Sequence, residues 1–515
     1  MQQISISGNQ NQNTLGGMQK GITNQLITPL NPQNAQNRNT THKTQNESTF
    51  FSFLFLFFDE LTKLHIRSFF FYFFQAIVVF VQLIGVSWYS YLPNVWNKSD
   101  SIFAKIIVGI NSVVMLDSTN DPQDHPLPLM IIPFIWNLLI AILLVITYAL
   151  YRSSGTIARN LSIFISIVLE ILFFIGFLPS FASLGAILRF VPDKEPFIVL
   201  FFVIYLFVIT FDIIILLTLT HLVNYCTNPT ISFLTTFNGH HISNLLLFSG
   251  IIIIFTNMAT VFDDWFYIVA IIVHIIFMIY QLYDLFSFPL VRLWTQPVFC
   301  SYYASTIVTD ILTIVSIFKS SLPDAIKFVV PICVFVVGVI CFYFIFRVQI
   351  KKISSILDPE DITDDEKVRY FEELPCRSVR QATVYLHVGL SLLKPAVLDS
   401  SFGLIVAQRF NNYNLWLLTG SITAFIPCNQ SQLDQCVEKL SNMYSKSIVN
   451  RIHIKRLVKI QKNRALVSTG DIDDKIGMMK LKTDDSINAV KQFWHHIGTK
   501  DERVKNSSIG SIAAS

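Results

Sequence analysis

Four ionisable side chains lie deep inside long apolar segments of this sequence: Glu170, Asp212, His274 and Asp310. If these segments are antiparallel helices, each residue lies roughly 10–16 residues from one helix end, which at ~1.5 Å per residue is near mid-depth. A charge at that depth is costly, so such groups usually face a bundle interior, where they pair, stay protonated or line an ion path. Together they could hold a proton or a cation between the third, fourth, sixth and seventh segments.

A structural role for the same residues is the alternative interpretation. Neutral carboxyl groups can form hydrogen bonds between helices, with polar neighbours such as Asn137 and Asn257. The sequence leaves both interpretations open.

Other patterns that would indicate catalysis or metal binding are absent from the sequence. It contains no P-loop, GxSxG, HExxH or GxGxxG motif and no cluster of histidines and cysteines with zinc-site spacing. His240-His241 is predicted to be a polar pair in a loop, and His495-His496 a polar pair near the C-terminus. We therefore predict no enzymatic activity, no cofactor and no metal site.

The elements that position these residues follow from the composition. Of the 515 residues, 52% are hydrophobic and the mean hydropathy is +0.52, more apolar surface than a soluble chain of this size can hide from water. The apolar residues form blocks between Phe50 and Phe346, which predicts a membrane domain with polar tails. The net charge of +4 is too small to indicate nucleic-acid binding.

Hydropathy predicts an all-α bundle of about eight spans, since a bilayer core takes about 20 helical residues to cross. Two shorter apolar segments, Phe50–Phe58 and Ile102–Leu116, are predicted to be an interfacial helix and an amphipathic or re-entrant piece. The predicted spans are Ser68–Leu92, Pro126–Tyr151, Leu161–Leu188, Phe197–Val223, Leu245–Phe262, Trp265–Tyr283, Val298–Phe318 and Ala325–Phe346.

The chain divides into four predicted regions: a disordered Gln/Asn-rich segment at 1–48, the membrane domain at 49–347, a helical array at 348–467 and a flexible tail at 468–515. A slight excess of Lys and Arg at alternate span ends predicts that both termini are cytosolic. No sorting signal is legible at either end, so the plasma membrane is the default location.

Short amphipathic helices, repeat-like in their succession, are predicted for the cytosolic region, with breaks at Pro395, Gly420 and Pro427. They are Asp358–Glu373, Val379–Leu393, Phe402–Phe410, Leu415–Phe425, Gln432–Tyr444 and Ile448–Ile460.

The last of these helices is basic, and two interpretations of it remain open. It could contact anionic lipid or a partner protein, each basic residue near a membrane surface contributing about 1 kcal/mol. Alternatively, Ile452, Leu457 and Ile460 pack into the array while the charges face water. The basic residues in question are Arg451, Lys455, Arg456, Lys459 and Lys462.

A family resemblance rests on the aromatic run Phe69–Gln75, the segment Trp88–Trp96, the sequence Phe425-Ile426-Pro427 and the basic helix Arg451–Lys462. Between about Ser48 and Arg464 the chain resembles the N-terminal membrane region of tiny macrocysts B-type proteins, which is similar to that of multi-pass adenylate and guanylate cyclases of parabasalid protists. The resemblance implies a sensing or regulatory membrane module that feeds a cytosolic output. No cyclase domain is recognisable in these residues, so no catalytic residue carries over.

Two functions follow as hypotheses. The first is a non-enzymatic signal-transduction module that binds a cytosolic signalling protein through residues 348–467, either as a monomer or as a homo-oligomer. The second is an ion or proton transporter or channel that uses the four buried polar residues. The lipid bilayer is a partner in both.

Overall fold

The computed structural model describes residues 69–88, 95–96, 101–114, 127–154, 159–190, 196–223, 233–237, 239–258, 264–318, 322–358, 364–374, 376–398, 401–425, 430–443 and 448–468. The predicted disordered segment 1–48, the predicted helix Phe50–Phe58 and the pair His495-His496 lie outside these residues.

Among the residues that the structure describes, eight helices are long and apolar enough to cross a bilayer, which confirms the predicted number and makes the chain an all-α, multi-pass membrane protein. A further helix, α2, lies between the first two spans. Up to residue 357 the helices are α1 (Phe69–Ser87), α2 (Ile102–Val114), α3 (Leu127–Ser154), α4 (Arg159–Ile167), a π-helical turn (Val168–Leu172) running into α5 (Phe173–Phe190), α6 (Pro196–Thr218) with a second π-helical turn (Leu219–Val223), α7 (His240–Asn257), α8 (Asp264–Leu285), α9 (Thr295–Phe318) and α10 (Asp324–Leu357).

Burial separates central from peripheral spans. The third span is formed by α4, the π-helical turn and α5. In the most apolar part of this span 72% of the residues are buried, whereas in the most apolar part of α10 only 6% are buried. Large apolar side chains of α10 such as Val336 and Val337 are exposed, as expected for groups that face lipid. The third span is therefore a central element of the bundle.

The third span has an irregular backbone that neighbouring side chains complete. Pro179 has no N–H to donate to the carbonyl of Ile175 four residues earlier, and Gln82 of α1 donates to that carbonyl instead at 2.7 Å. In the π-helical turn, Gln75 of α1 donates to the carbonyl of Glu170. Polar side chains of α1 thus satisfy backbone groups that lipid could not.

Helix α9 carries several polar side chains that lie inside the bundle. Its polar residues Thr306, Thr309, Asp310 and Thr313 are all buried, and Ser87 of α1 donates to Thr306. A span surrounded by other helices can carry such a polar face, because the face meets protein rather than lipid.

Two connections between spans pair with each other at one end of the bundle. Thr236 and Leu290 form an antiparallel bridge, flanked by hydrogen bonds from Phe237 N to Pro289 O (2.8 Å) and from Val291 N to Thr235 O (3.1 Å). We call the segments 233–237 and 286–294, together with the span ends they join, the tail-side face.

Gly239 begins α7 at the tail-side face in a left-handed conformation, with φ of 72°. Thr236 Oγ1 accepts a hydrogen bond from its N–H at 2.7 Å, and a Cβ atom here would lie 2.7 Å from the carbonyl oxygen of Thr220. Only glycine satisfies both the dihedral angle and this close approach.

The tail is helical, at nearly the positions that the sequence predicts. Helix α10 continues without a break past Phe346 to Leu357, further than the predicted span end. The predicted break at Gly420 is wrong, because a helix runs through this glycine where it packs against Cys436 and Leu457. The tail helices are α11 (Asp364–Glu373), α12 (Val379–Ser391), α13 (Pro395–Leu398), α14 (Ser401–Phe410), α15 (Tyr413–Phe425), α16 (Gln430–Asn442) and α17 (Ile448–Ser468).

Replacing Gly185 by Ala should destabilise the bundle. A Cβ atom at this position of α5 would lie 2.7 Å from Asn257 Cβ and 2.8 Å from the Ile254 carbonyl oxygen of α7. Overpacking of this kind typically costs about 1–3 kcal/mol. We expect a lower midpoint of thermal unfolding in detergent micelles for Gly185→Ala.

Gly109→Ala is the matched control, since a Cβ atom at Gly109 in α2 meets nothing within 4 Å. Alanine favours a helix over glycine by roughly 0.5–1 kcal/mol, so the control should unfold at or above the wild-type midpoint. Equal midpoints for the two variants would contradict the tight α5–α7 contact.

Candidate functional site

The structure brings His274 and Asp310 together inside the bundle. Nδ1 of His274 on α8 lies 3.0 Å from Oδ2 of Asp310 on α9, and neither side chain is exposed. The ring of Phe248 from α7 stacks parallel to the imidazole, with a centroid separation of 6.1 Å. A histidine and a carboxylic acid at this distance in an apolar setting can share one proton.

Asp212 joins the second, third and fourth spans. Its Oδ2 atom lies 3.4 Å from Nδ2 of Asn137 on α3, which also donates to Ser180 Oγ of α5 at 2.8 Å. Its Oδ1 atom has no hydrogen-bond partner among the described residues. Asn137 is a neighbour that the structural interpretation of the sequence had named, and the arrangement is an interhelical hydrogen-bond node.

Glu170 lies in the π-helical turn of the third span and contacts α1. The Tyr72 hydroxyl donates to its Oε2 atom, and the Tyr72 ring packs against Phe233 of the tail-side face. The guanidinium of Arg292 lies over Phe233, 4.8 Å from the ring centroid. Burial lowers the pKa of Arg292 to about 10, so Arg292 remains a cation at neutral pH.

The four candidates are therefore distributed over different helix contacts. Only His274 and Asp310 are placed against each other, and Glu170 and Asp212 have partners of their own. Counted along each span at ~1.5 Å per residue, they lie about 10 to 22 Å from the tail-side ends, with Glu170 the shallowest.

A fifth polar group, His241, was missed by the sequence analysis. The prediction that His240-His241 lies in a loop is wrong, because both residues form the first turn of α7, and His241 is buried. Its Nδ1 atom lies 2.8 Å from Oδ2 of Asp284 at the end of α8, and its Nε2 atom lies 2.9 Å from the Tyr303 hydroxyl of α9. Gly239, a permitted N-cap residue before an apolar run, was the available sequence signal.

Helix α12 of the tail is docked on the tail-side face through polar contacts. Arg380 donates to the Tyr283 carbonyl at 2.7 Å and to Ser287 Oγ at 2.9 Å, with its guanidinium 3.7 Å from the Tyr283 ring centroid. Ser391 donates to the Val291 carbonyl at 2.9 Å. Contacts to backbone atoms are not coded by residue type, so sequence patterns could not reveal them.

His387 is the buried centre of this contact. Its ring stacks on Phe237 at a centroid separation of 4.0 Å and an interplanar angle of 6°, and its Nδ1 atom lies 3.0 Å from the Ser287 carbonyl oxygen. Burial lowers the pKa of His387 to about 4. It is therefore neutral at physiological pH and donates its Nδ1–H to Ser287.

The basic helix α17 contacts the tail-side face at its first turns. His453 Nε2 lies 3.0 Å from the His221 carbonyl oxygen in the second π-helical turn, and burial lowers the pKa of His453 to about 3. Leu457 is buried, as the packing interpretation requires. Of the basic residues of α17, Arg451, Lys455 and Lys462 are exposed, and Arg456 and Lys459 are half-buried. The surface-contact interpretation of these residues stays a prediction.

Acidification should loosen the docked tail. Burial lowers the pKa of His387 from 6.5 to about 4 and that of His453 from 6.5 to about 3, so the unfolded chain binds protons first as the pH falls. Stability should therefore drop below pH 6.5, by up to about 1.4 kcal/mol per pH unit for each histidine. The measurement is the thermal unfolding midpoint of the full chain in nanodiscs between pH 7 and pH 4.

His387→Gln tests which group is responsible, because the amide can still donate to Ser287 but does not titrate. We expect a smaller slope of the midpoint against pH in this variant. A slope equal to that of the wild type would show that His387 does not carry the effect.

Comparison with protein-family models, with curated proteins and with solved structures finds no match to this chain. The candidate site is therefore described by its own residues. It consists of the buried His274–Asp310 pair, the hydrogen-bonded residues Asp284, His241 and Tyr303, and the contact of the tail with the tail-side face.

Proposed function

We propose that this multi-pass membrane protein is a non-enzymatic regulatory module whose helical tail transmits the state of the membrane bundle to a signalling partner. The observation that carries the proposal is the docking of α12 on the two paired tail-side segments by Arg380, His387 and Ser391. Those segments connect four spans, α6 to α7 and α8 to α9.

This geometry supports mechanical coupling between bundle and tail. Segment 286–294 links the helices that carry His274 and Asp310, and the same segment supplies the Ser287 and Val291 carbonyl oxygens that hold α12. A change in the contact between His274 and Asp310 would shift α8 relative to α9. The shift would reach α12 through the hydrogen bonds to Ser287 and Val291. Packed elements with two arrangements are what carries such coupling.

The resemblance to membrane regions of tiny macrocysts B-type proteins and of parabasalid cyclases extends the proposal to the output. On that basis the partner is a nucleotide cyclase or a protein kinase that binds the tail. No residue of the chain is proposed to be catalytic.

A photo-cross-linking side chain at the exposed position Glu438 of α16 tests for such a partner in cells that express the full chain. We expect an adduct with a protein that has cyclase or kinase activity. The same probe at the lipid-facing position Val336 is the control and should give no such adduct. Adducts that never include a signalling enzyme would contradict the proposal.

Coupling is tested by Arg380→Ala, which removes the hydrogen bonds to Tyr283 and Ser287 and should change the activity of the captured enzyme. Arg369→Ala is the matched control, because Arg369 is exposed on α11 and its ion pair with Glu373 is on the same helix. Equal activities with the two variants would remove α12 docking as the route of transmission.

A second candidate function is the movement of protons or monovalent cations across the membrane. The observation that favours it is the buried His274–Asp310 pair, since ionisable residues within spans commonly mark proton relays and ion paths.

Proteoliposomes that contain the full chain should then show a flux that Asp310→Asn reduces by about tenfold or more. Asp358→Asn is the control, because Asp358 lies just past the end of α10 and its side chain is largely exposed. Wild-type vesicles without any flux of protons, Na⁺ or K⁺ would exclude this candidate.

A further inference from the structure

His241 occupies a position that neither proposed function explains. It lies between a partly exposed acid and a fully buried phenol, and its own side chain is fully buried. The side chain of Asp284 is 31% exposed at the tail-side face, so it can exchange protons with water. Each ring nitrogen of His241 has one of these two groups as its partner.

The partners define the protonation pattern of this chain. The Asp284 carboxylate can only accept, so Nδ1 of His241 carries the proton that it donates over 2.8 Å. Nε2 is then an acceptor and takes the Tyr303 O–H over 2.9 Å. The three groups form an unbroken hydrogen-bonded line from the surface into the bundle.

Polar groups on α9 and α1 lie between this line and mid-membrane. The ring centroids of Tyr302 and Tyr303 are 5.4 Å apart, the Tyr302 hydroxyl donates to the Leu83 carbonyl of α1 at 3.3 Å, and Ser87 donates to Thr306 at 3.4 Å. Asp310 follows Thr306 by about one turn of α9.

We propose that the line through Asp284, His241 and Tyr303 is a proton path between the tail-side face and the His274–Asp310 pair. This inference rests on the second candidate function. It adds that the transported species is the proton and that Asp284 is the opening of the path at the tail-side face.

The proton transfers balance at every group. In the observed pattern Nδ1 of His241 gives its proton to the Asp284 carboxylate, which releases it to water, while Nε2 takes the Tyr303 hydroxyl proton. The Tyr303 oxygen is reprotonated from the side of the His274–Asp310 pair, and the ring is left in its Nε2–H form. From that form the same transfers in reverse carry a proton inward, from Asp284 to Nδ1 and from Nε2 to Tyr303. His241 and Tyr303 each release one proton for every proton that they accept, so neither retains a net charge.

Further titratable or charged groups lie near Asp284 and Tyr303. His387 of α12 and His240 of α7 lie near Asp284, and burial lowers the pKa of His387 to about 4, so His387 is uncharged at neutral pH. Cys300 of α9 lies near Tyr303, and the His240 ring lies 4.5 Å from the ring of His221 in the second π-helical turn. Arg380 of α12 contacts Tyr283, the residue before Asp284.

Proton uptake into proteoliposomes of the full chain tests the path, with a pH-sensitive dye inside and a K⁺ diffusion potential as the driving force. Tyr303→Phe removes only the hydroxyl and should slow uptake by about tenfold. Tyr205→Phe, at a buried tyrosine of α6 outside the path, is the matched control and should leave the rate unchanged. The wild-type rate should also fall in D₂O, as expected for proton hopping.

Asp284→Asn provides a second variant at a partly exposed position, where the amide preserves a hydrogen bond to His241 but cannot carry a proton. It should also slow uptake, while its unfolding midpoint stays near that of the wild type.

The inference is overturned, and the second candidate function kept, if Tyr303→Phe and Asp284→Asn conduct at the wild-type rate or if only Na⁺ or K⁺ moves. Vesicles that move no ion at all would overturn both.

Discussion

The structure depends on a constraint that lipid imposes: every backbone N–H and carbonyl within a span needs a partner from the protein itself. The third span meets this constraint in an uncommon way, because a π-helical turn and Pro179 both disturb its hydrogen-bond ladder. Gln75 and Gln82 of α1 donate to the carbonyls of Glu170 and Ile175. The irregular helix is therefore inseparable from its neighbour, which explains why it lies at the centre of the bundle.

The same constraint accounts for the distribution of polar side chains. Asp212, His274 and Asp310 each lie at a contact between spans, and in the middle of the lipid-facing helix α10 apolar side chains such as Val336, Val337 and Ile340 are exposed. At α9 the hydrogen bonds of His241 connect the tail-side acid Asp284 with the buried Tyr303, and the proton-path proposal is centred on this helix.

Bundle and tail meet through carbonyl oxygens rather than through an apolar interface alone. Ser287, Val291 and His221 present carbonyls to His387, Ser391 and His453 respectively. Such contacts are directional, so they are sensitive to small displacements of the segments that present them. The two histidines are neutral because they are buried, and this makes the junction the part of the described chain where acidification acts most directly.

The sequence by itself determined the membrane class, the eight spans and nearly all of the tail helices, because each depends on local composition and on the 3.6-residue period. It also located Glu170, Asp212, His274 and Asp310 inside spans, since a charge within an apolar run is visible without a fold. Only the tertiary structure decided which of them meet: His274 pairs with Asp310, whereas Asp212 lies with Asn137 and Glu170 with Tyr72. It also decided that His241 is buried, that Gly420 lies within a helix and that His387 binds a carbonyl of the bundle. These features arise from contacts between residues that are distant along the chain, and hydropathy and periodicity carry no information about such contacts.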